Sequence, residues 1–198
     1  MTREDVVQGR EVEMVAESLR PRWAALEALV EEGLVREIGV SNFEPEELEE
    51  LLSFCKIRPV LNECEAHPYL PNCALVDYCR QARIQFLAYS PQGSLSCRPS
   101  IFGGPREDMN LFKEGVLLEI AASHCKSVSQ VLLGWALQRG TTPITKSLSP
   151  DHLEENLLSN FQLTELEMQQ IGGLARTDGR IFTYLPFKMY QAKPSNAS

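Results

Sequence analysis

Over 198 residues the chain carries 27 acidic and 19 basic side chains, and its net charge of −8 argues against a nucleic-acid surface, because a phosphate backbone selects clustered Lys and Arg. Hydrophobic residues make up 43% and charged ones 23%, a balance that can bury a core and shows no disorder bias. No apolar run approaches the ~18 residues of a membrane span.

Residues 1–17 have mixed charge and stay unassigned, and the opening Met1-Thr2-Arg3-Glu4-Asp5 has no apolar stretch behind it, so it does not read as a secretory signal. From Ser18 a helix is expected, with Pro21 early, Trp23, Leu26, Leu29 and Val30 on one face, and Gly33 closing it. A strand then runs from Val35 to Val40 and stops at Ser41-Asn42. Pro45, Glu46 and Glu47 open a helix reaching about Cys55, with Leu48, Leu51 and Leu52 facing the sheet. The second strand, about Val60 to Cys64, delivers Asn62, Glu63 and Glu65 to its carboxyl end, just before His67-Pro68-Tyr69. A helix from Cys73 to Arg83 precedes a strand from Ile84 to Tyr89, apolar enough to be buried on both faces. Ser90 to Pro105, rich in Gly, Pro and Ser, reads as a long functional loop. Helices follow at about Leu111 to His124 and Val128 to Arg139, then a short strand from Thr142 to Thr145 ending at Lys146-Ser147. Ser149 and Pro150 start another helix with Leu153 and Leu157 turned inward, and Thr164 to about Leu174 forms the last. Residues 191–198 read as a frayed tail.

Strand and helix alternate four times, which predicts an α/β protein with a parallel sheet. Ligand sites in such folds lie at the carboxyl ends of the strands. Ser41 and Asn42 stand there, where they either bind a ligand or cap the next helix. Tyr89 offers a ring that stacks on a planar heterocycle, or else a core aromatic. Lys146 and Ser147 precede a helix start, a setting that holds phosphate, although a solvated lysine fits as well. The six cysteines, Cys55, Cys64, Cys73, Cys79, Cys97 and Cys125, have no CxxC spacing and read as reduced thiols of a cytoplasmic protein. No metal cluster, Ser/His/Asp set or glycine-rich phosphate loop is legible.

Trp23-Ala24-Ala25-Leu26-Glu27, Glu31-Glu32-Gly33-Leu34-Val35, Gly39 to Phe43, His67-Pro68-Tyr69-Leu70, Ala88-Tyr89-Ser90-Pro91, Gly93-Ser94, Lys146-Ser147 and Glu154-Glu155-Asn156 follow one another in unbroken order. This series, from about Ser18 to Glu167, resembles the aldo-keto reductases. The resemblance implies a partial (β/α)8 TIM barrel, namely strands 5 to 8 with their helices, across residues 18–190. A whole barrel typically needs ~250 residues.

The resemblance also implies an NADP(H) site. Tyr89 would pack on the nicotinamide, and Ser90, Gln92 and Ser94 would belong to the loop over the pyrophosphate. Ser41 and Asn42 would bond the carboxamide. Glu63 stands where the family has a glutamine, and an ionised carboxylate only accepts hydrogen bonds. Its presence would cost ~1–3 kcal/mol, roughly ten-fold or more in affinity, so nicotinamide binding should be weakened. Lys146 and Ser147 would hold the 2′-phosphate, and Glu155 and Asn156 would reach the adenine. His152 replaces the family's arginine and lacks its guanidinium fork, which should reduce the preference for NADP over NAD.

The family reduces small-molecule carbonyl compounds with an Asp/Tyr/Lys/His tetrad. No residue here matches it, and His67 reads as structural. The expectation is therefore a truncated oxidoreductase carrying the cofactor half, inactive alone, with self-association or poor solubility from exposed barrel edges. The competing reading is a non-catalytic nucleotide- or partner-binding regulatory module.

Overall fold

In the computed structural model, residues 19–94, 108–157, 159 and 161–182 are described. The expectations for residues 1–17, for Cys97 and most of the loop after Ser94, and for the tail from Thr183 lie outside them.

Helix α1 (Leu19–Glu31) leads into β1 (Val40–Ser41), α2 (Pro45–Leu52), β2 (Leu61–Glu65), α3 (Cys73–Ala82) and β3 (Gln85–Tyr89). After a 3-10 turn at Leu111–Lys113 come α4 (Gly115–Ser123), α5 (Val128–Gln138), β4 (Thr142–Ile144), α6 (Pro150–Leu157) and α7 (Glu165–Gly172). The strands form one parallel sheet in the order β1-β2-β3-β4, each pair joined through a helical crossover. This is the α/β arrangement the alternation predicts, and it follows from the packing of each crossover helix back onto its sheet.

One face of the sheet is finished. Asn62, Cys64, Phe86 and Ala88 alternate along β2 and β3 and are all buried against α1, α2 and α3, with Leu48, Leu51 and Cys79 fully enclosed between them. Trp23 and Glu27 tie α1 to the segment before β2. The indole Nε1 donates to the Ile57 carbonyl at 3.0 Å, and the Glu27 carboxylate accepts the Lys56 and Ile57 amides at 2.6 and 2.9 Å. A second cluster gathers Leu117, Ile120, Val131, Leu132, Trp135 and Ile171 around α4, α5 and α7. No single helix among the described residues is long and apolar enough to cross a membrane; α4 and α5 reach that content only as a pair bent by 90°, and α5 spends it in this core.

Several expectations are corrected. The first strand is two residues long rather than Val35 to Val40, and among the described residues it pairs with β2 alone, over Val40 and Ser41. Val35 is exposed. The chain still runs beside β2, with the Val60 amide donating to the Ile38 carbonyl at 2.9 Å. Only glycine fits at position 39, where an added Cβ would stand 2.9 Å from the Leu61 carbonyl oxygen. Helix α2 ends at Leu52 rather than Cys55. The helix expected from Leu111 to His124 is broken at Glu114, which is extended, because Asn110 closes a separate 3-10 turn by accepting from the Phe112 amide.

Strand β3 is not buried on both faces: Leu87 and Tyr89 are half-buried and Gln85 is exposed. Leu153 and Leu157 do not turn inward but are 48% and 83% exposed, and α6 buries no residue. Leu26 and Leu29 likewise reach 36% exposure on α1. These helices flank β4 and β1, the two edge strands, and among the described residues no further strand extends the sheet to cover them.

Candidate cofactor-binding site

The carboxyl end of the sheet brings residues from three strands into hydrogen-bonded register. Ser41, the last residue of β1, pairs with Glu63 on β2, and the Ser41 hydroxyl donates to the Glu63 carbonyl at 2.9 Å. The Asn42 amide donates to the same carbonyl at 3.0 Å. Asn42 sits at φ 58°, a left-handed conformation that asparagine tolerates better than most residues. Its side chain then acts as a link. Nδ2 donates to the Ser41 hydroxyl at 3.2 Å, and Oδ1 accepts from the Tyr89 hydroxyl at 3.0 Å.

Of the two readings open for Ser41 and Asn42, capping is not the one the structure takes. Helix α2 is capped at Glu44, whose amide donates to the Glu47 carboxylate at 2.9 Å. The serine and asparagine are thus held in place by β2 and β3, with their polar groups at the mouth of the sheet. Asn62 supports them from the buried face, its amide bridging the Phe43 carbonyl at 2.8 Å and the Phe43 amide at 3.3 Å. Beneath them burial pushes the Cys64 thiol up to about 12, so it stays protonated and is no nucleophile at neutral pH.

Glu63 follows the same alternation onto the inner face, between Ser41 and Leu87 in the ladder, and is half-buried. Past Tyr89 the chain turns sharply. Ser90, Gly93 and Ser94 all have positive φ, at 55°, 76° and 51°, and the Gly93 amide closes the turn on the Ser90 carbonyl at 2.9 Å. Two serines held in left-handed geometry are a strain of the kind that gathers at binding sites.

That turn leads to a cavity of about 560 Å³. Gln92 and Ser94 line it from the turn, Lys146 and Ser147 from the end of β4, and His152, Glu155 and Asn156 from α6. All the remaining candidates therefore converge on one concavity, of a size typical for small-molecule sites. Ser147 Oγ accepts the Ser149 amide at 3.1 Å, and the Asn156 side chain donates to Thr145 Oγ1 at 3.3 Å, so α6 is fastened to the strand end it follows. Gln92 Nε2 donates to Ser129 Oγ, which ties the turn to α5. The cavity also uses Phe112, Leu118 and Ser127 to Ser129, residues the sequence reading did not single out. Their only sequence signal was the Ser127-x-x-Gln130 helix start, an N-cap that the structure confirms.

His67 is wholly buried, its Nε2 3.0 Å from Glu65 Oε1 and its ring edge-on to Tyr69. It lies away from the cavity. Among the described residues no group of three or more His, Cys, Asp or Glu side chains could hold a metal ion. The carboxyl end of the sheet thus offers a hydroxyl, an amide and an aromatic ring after β1 and β3, and an ammonium with hydroxyls and amides around the cavity after β4.

The chain is similar to known proteins of one family. The family model for the aldo/keto reductase family matches residues 5–176. A 9,11-endoperoxide prostaglandin H2 reductase of Trypanosoma cruzi is 44% identical over 153 residues, covering 77% of this chain and 50% of that protein. An NADPH-dependent D-xylose reductase of Candida boidinii is 41% identical over 153 residues, covering 77% and 48%. Among solved structures, an aldo-keto reductase complexed with NADPH superposes with a TM-score of 0.67 at 30% identity, covering 77% of this chain and 46% of that one. The chain spans about half the length of the curated relatives it matches. With its parallel sheet, crossover helices and TIM-barrel relatives, the chain belongs to the aldo/keto reductase family.

Proposed function

We propose that this chain binds NADP(H) at the carboxyl end of its sheet, as the cofactor-binding part of a carbonyl oxidoreductase. The observation that carries this reading is the placement of two groups at the carboxyl ends of strands in one sheet: the Ser41–Asn42–Tyr89 hydrogen-bond chain after β1 and β3, and the cavity lined by Lys146 and Ser147 after β4. In the family, NADPH supplies a hydride to the carbon of a carbonyl group. On this chain, Ser41 and Asn42 would meet the nicotinamide carboxamide, with Tyr89 beside its ring. Ser90, Gln92 and Ser94 would enclose the pyrophosphate. Lys146 and Ser147 would neutralise the 2′-phosphate, with His152, Glu155 and Asn156 toward the adenine.

The fit is uneven. Glu63 presents a carboxylate where a donor is needed, and His152 supplies no guanidinium, so affinity is weakened at both ends. Because no residue is matched to the family's Asp/Tyr/Lys/His tetrad, we assign this chain binding without turnover. The five described cysteines are free thiols, which supports a cytoplasmic setting.

The test is a titration of the purified chain with NADPH, followed by nicotinamide fluorescence, with aldehyde then added and absorbance monitored. A saturable spectral change without oxidation of NADPH is the expected result. Absence of any saturable change overturns the binding reading, and steady oxidation by the pure chain overturns the absence of turnover.

A further inference from the structure

Strand β2 ends in Glu65, a residue only 1% exposed, and a carboxylate so enclosed is stable only when its oxygens are bonded. Here they are. Oε1 accepts the Ile181 amide at 2.7 Å and lies 3.0 Å from His67 Nε2, while Oε2 accepts the Phe182 amide at 3.1 Å. One carboxylate thus holds two successive amides of a segment more than a hundred residues further along the chain. The same segment is fixed upstream, where the Arg176 amide donates to the Tyr69 carbonyl at 3.0 Å. Arg176 also reaches Asp108 and Asp178 through its guanidinium. At Gly179 the backbone passes so close to Tyr69 that an added Cβ would stand 2.0 Å from its carbonyl oxygen. Residues 176–182 therefore form a strap across the end of β2.

The strap delivers one side chain to the site. The Phe182 ring stands 6.2 Å from the Tyr89 ring at 65°, an edge contact. The Tyr89 hydroxyl is bonded to Asn42, so the ring is held at its tip by the asparagine and at its side by the strap.

We propose that Glu65 is a positioning residue: by clamping the Ile181 and Phe182 amides it seats Phe182 against Tyr89, and so fixes the ring beside which the nicotinamide binds. The cofactor consequence rests on the proposed function, whereas the clamp stands without it. The position requires a carboxylate. The Ile181, Phe182 and His67 groups all present N–H donors or a ring nitrogen to it, and glutamine, with a single acceptor oxygen, would turn its own NH2 toward one of the amides.

The experiment compares the full chain with Glu65→Gln, Phe182→Ala and the double variant, by amide hydrogen exchange, Tyr89 ring signals in NMR and NADPH titration. In Glu65→Gln the Ile181 and Phe182 amides exchange about ten-fold faster, while Phe86 in β3 is unchanged. Tyr89 ring signals shift in both single variants. The NADPH Kd rises about three- to ten-fold in each, and the double variant rises no further, since both changes break one connection. Unchanged exchange at Ile181 and Phe182, unmoved Tyr89 signals, a lowered Kd, or additive effects would each overturn the proposal. If Glu65→Gln does not fold, Phe182→Ala decides through the Tyr89 signals and Kd. If the wild-type chain binds no NADPH, the proposed function falls, and exchange with the Tyr89 signals decides the clamp alone.

Discussion

The two faces of the sheet are made of alternating residues of the same strands, yet they have different duties. Phe86 and Ala88 on β3 are 2% and 0% exposed, packed under α2 and α3. Leu87 and Tyr89, one residue along, are half-buried on the inner face, in register with Glu63 and Glu65 on one side and Thr142 and Ile144 on the other. The helix-facing side is saturated with apolar contacts and fixes the fold. The inner side is where the polar groups of the candidate site gather, and where side chains are still available to a ligand.

If that division is right, substitutions at neighbouring positions should separate. The sharpest contrast is Phe86→Ala against Leu87→Ala in urea melts. Phe86→Ala should cost about 3–5 kcal/mol, and Leu87→Ala less, about 1–2 kcal/mol, because Leu87 is only partly buried on the inner face; equal costs would break the comparison. Asn62→Ala comes next. It strips partners from the Phe43 amide and carbonyl in a buried setting, and should destabilise by about 2–3 kcal/mol.

On the inner face the readout moves from stability to binding. Glu63→Gln restores a group that both donates and accepts, so NADPH affinity should rise about ten-fold while the melt shifts by less than about 1 kcal/mol. A fall in affinity would show that Glu63 does not face the carboxamide. Lys146→Ala should lower the preference for NADP over NAD by about three-fold, a small change because the ammonium is solvated. The smallest effect should come from a site outside both faces. Burial raises the Glu167 carboxyl, but bonds from Thr164 and His124 outweigh it and hold the carboxyl below its ordinary value. Its stabilisation is therefore present above the ordinary carboxylate value of 4.5 and fades as the pH falls through the lower folded value. Glu167→Gln should reduce stability slightly at pH 7 and flatten its loss on acidification, measured by thermal melts from pH 7 to 3.

Much of this was readable along the chain. The positions of β2, β3, α3 and α5 follow from local apolar runs and caps, and the Ser41-Asn42, Tyr89 and Lys146-Ser147 groups fall at strand ends as expected. What failed was anything that depended on neighbours. The same leucines that give Leu153 and Leu157 a helical period leave them exposed, because a period says which residues share a face, not whether something covers that face. Val35 has strand propensity, but the ladder with β2 is formed only over Val40 and Ser41 and does not reach back to it.

The sequence by itself determined the alternation of strand and helix, and which chemical groups stand at each strand's carboxyl end, since both depend on spacing of a few residues. Only the tertiary structure decided that Gln92, Lys146 and Asn156 line one cavity, and that Glu65 holds the strap bearing Phe182 against Tyr89. Those partners lie tens to more than a hundred residues apart, and no local pattern encodes a contact that exists only once the sheet has folded.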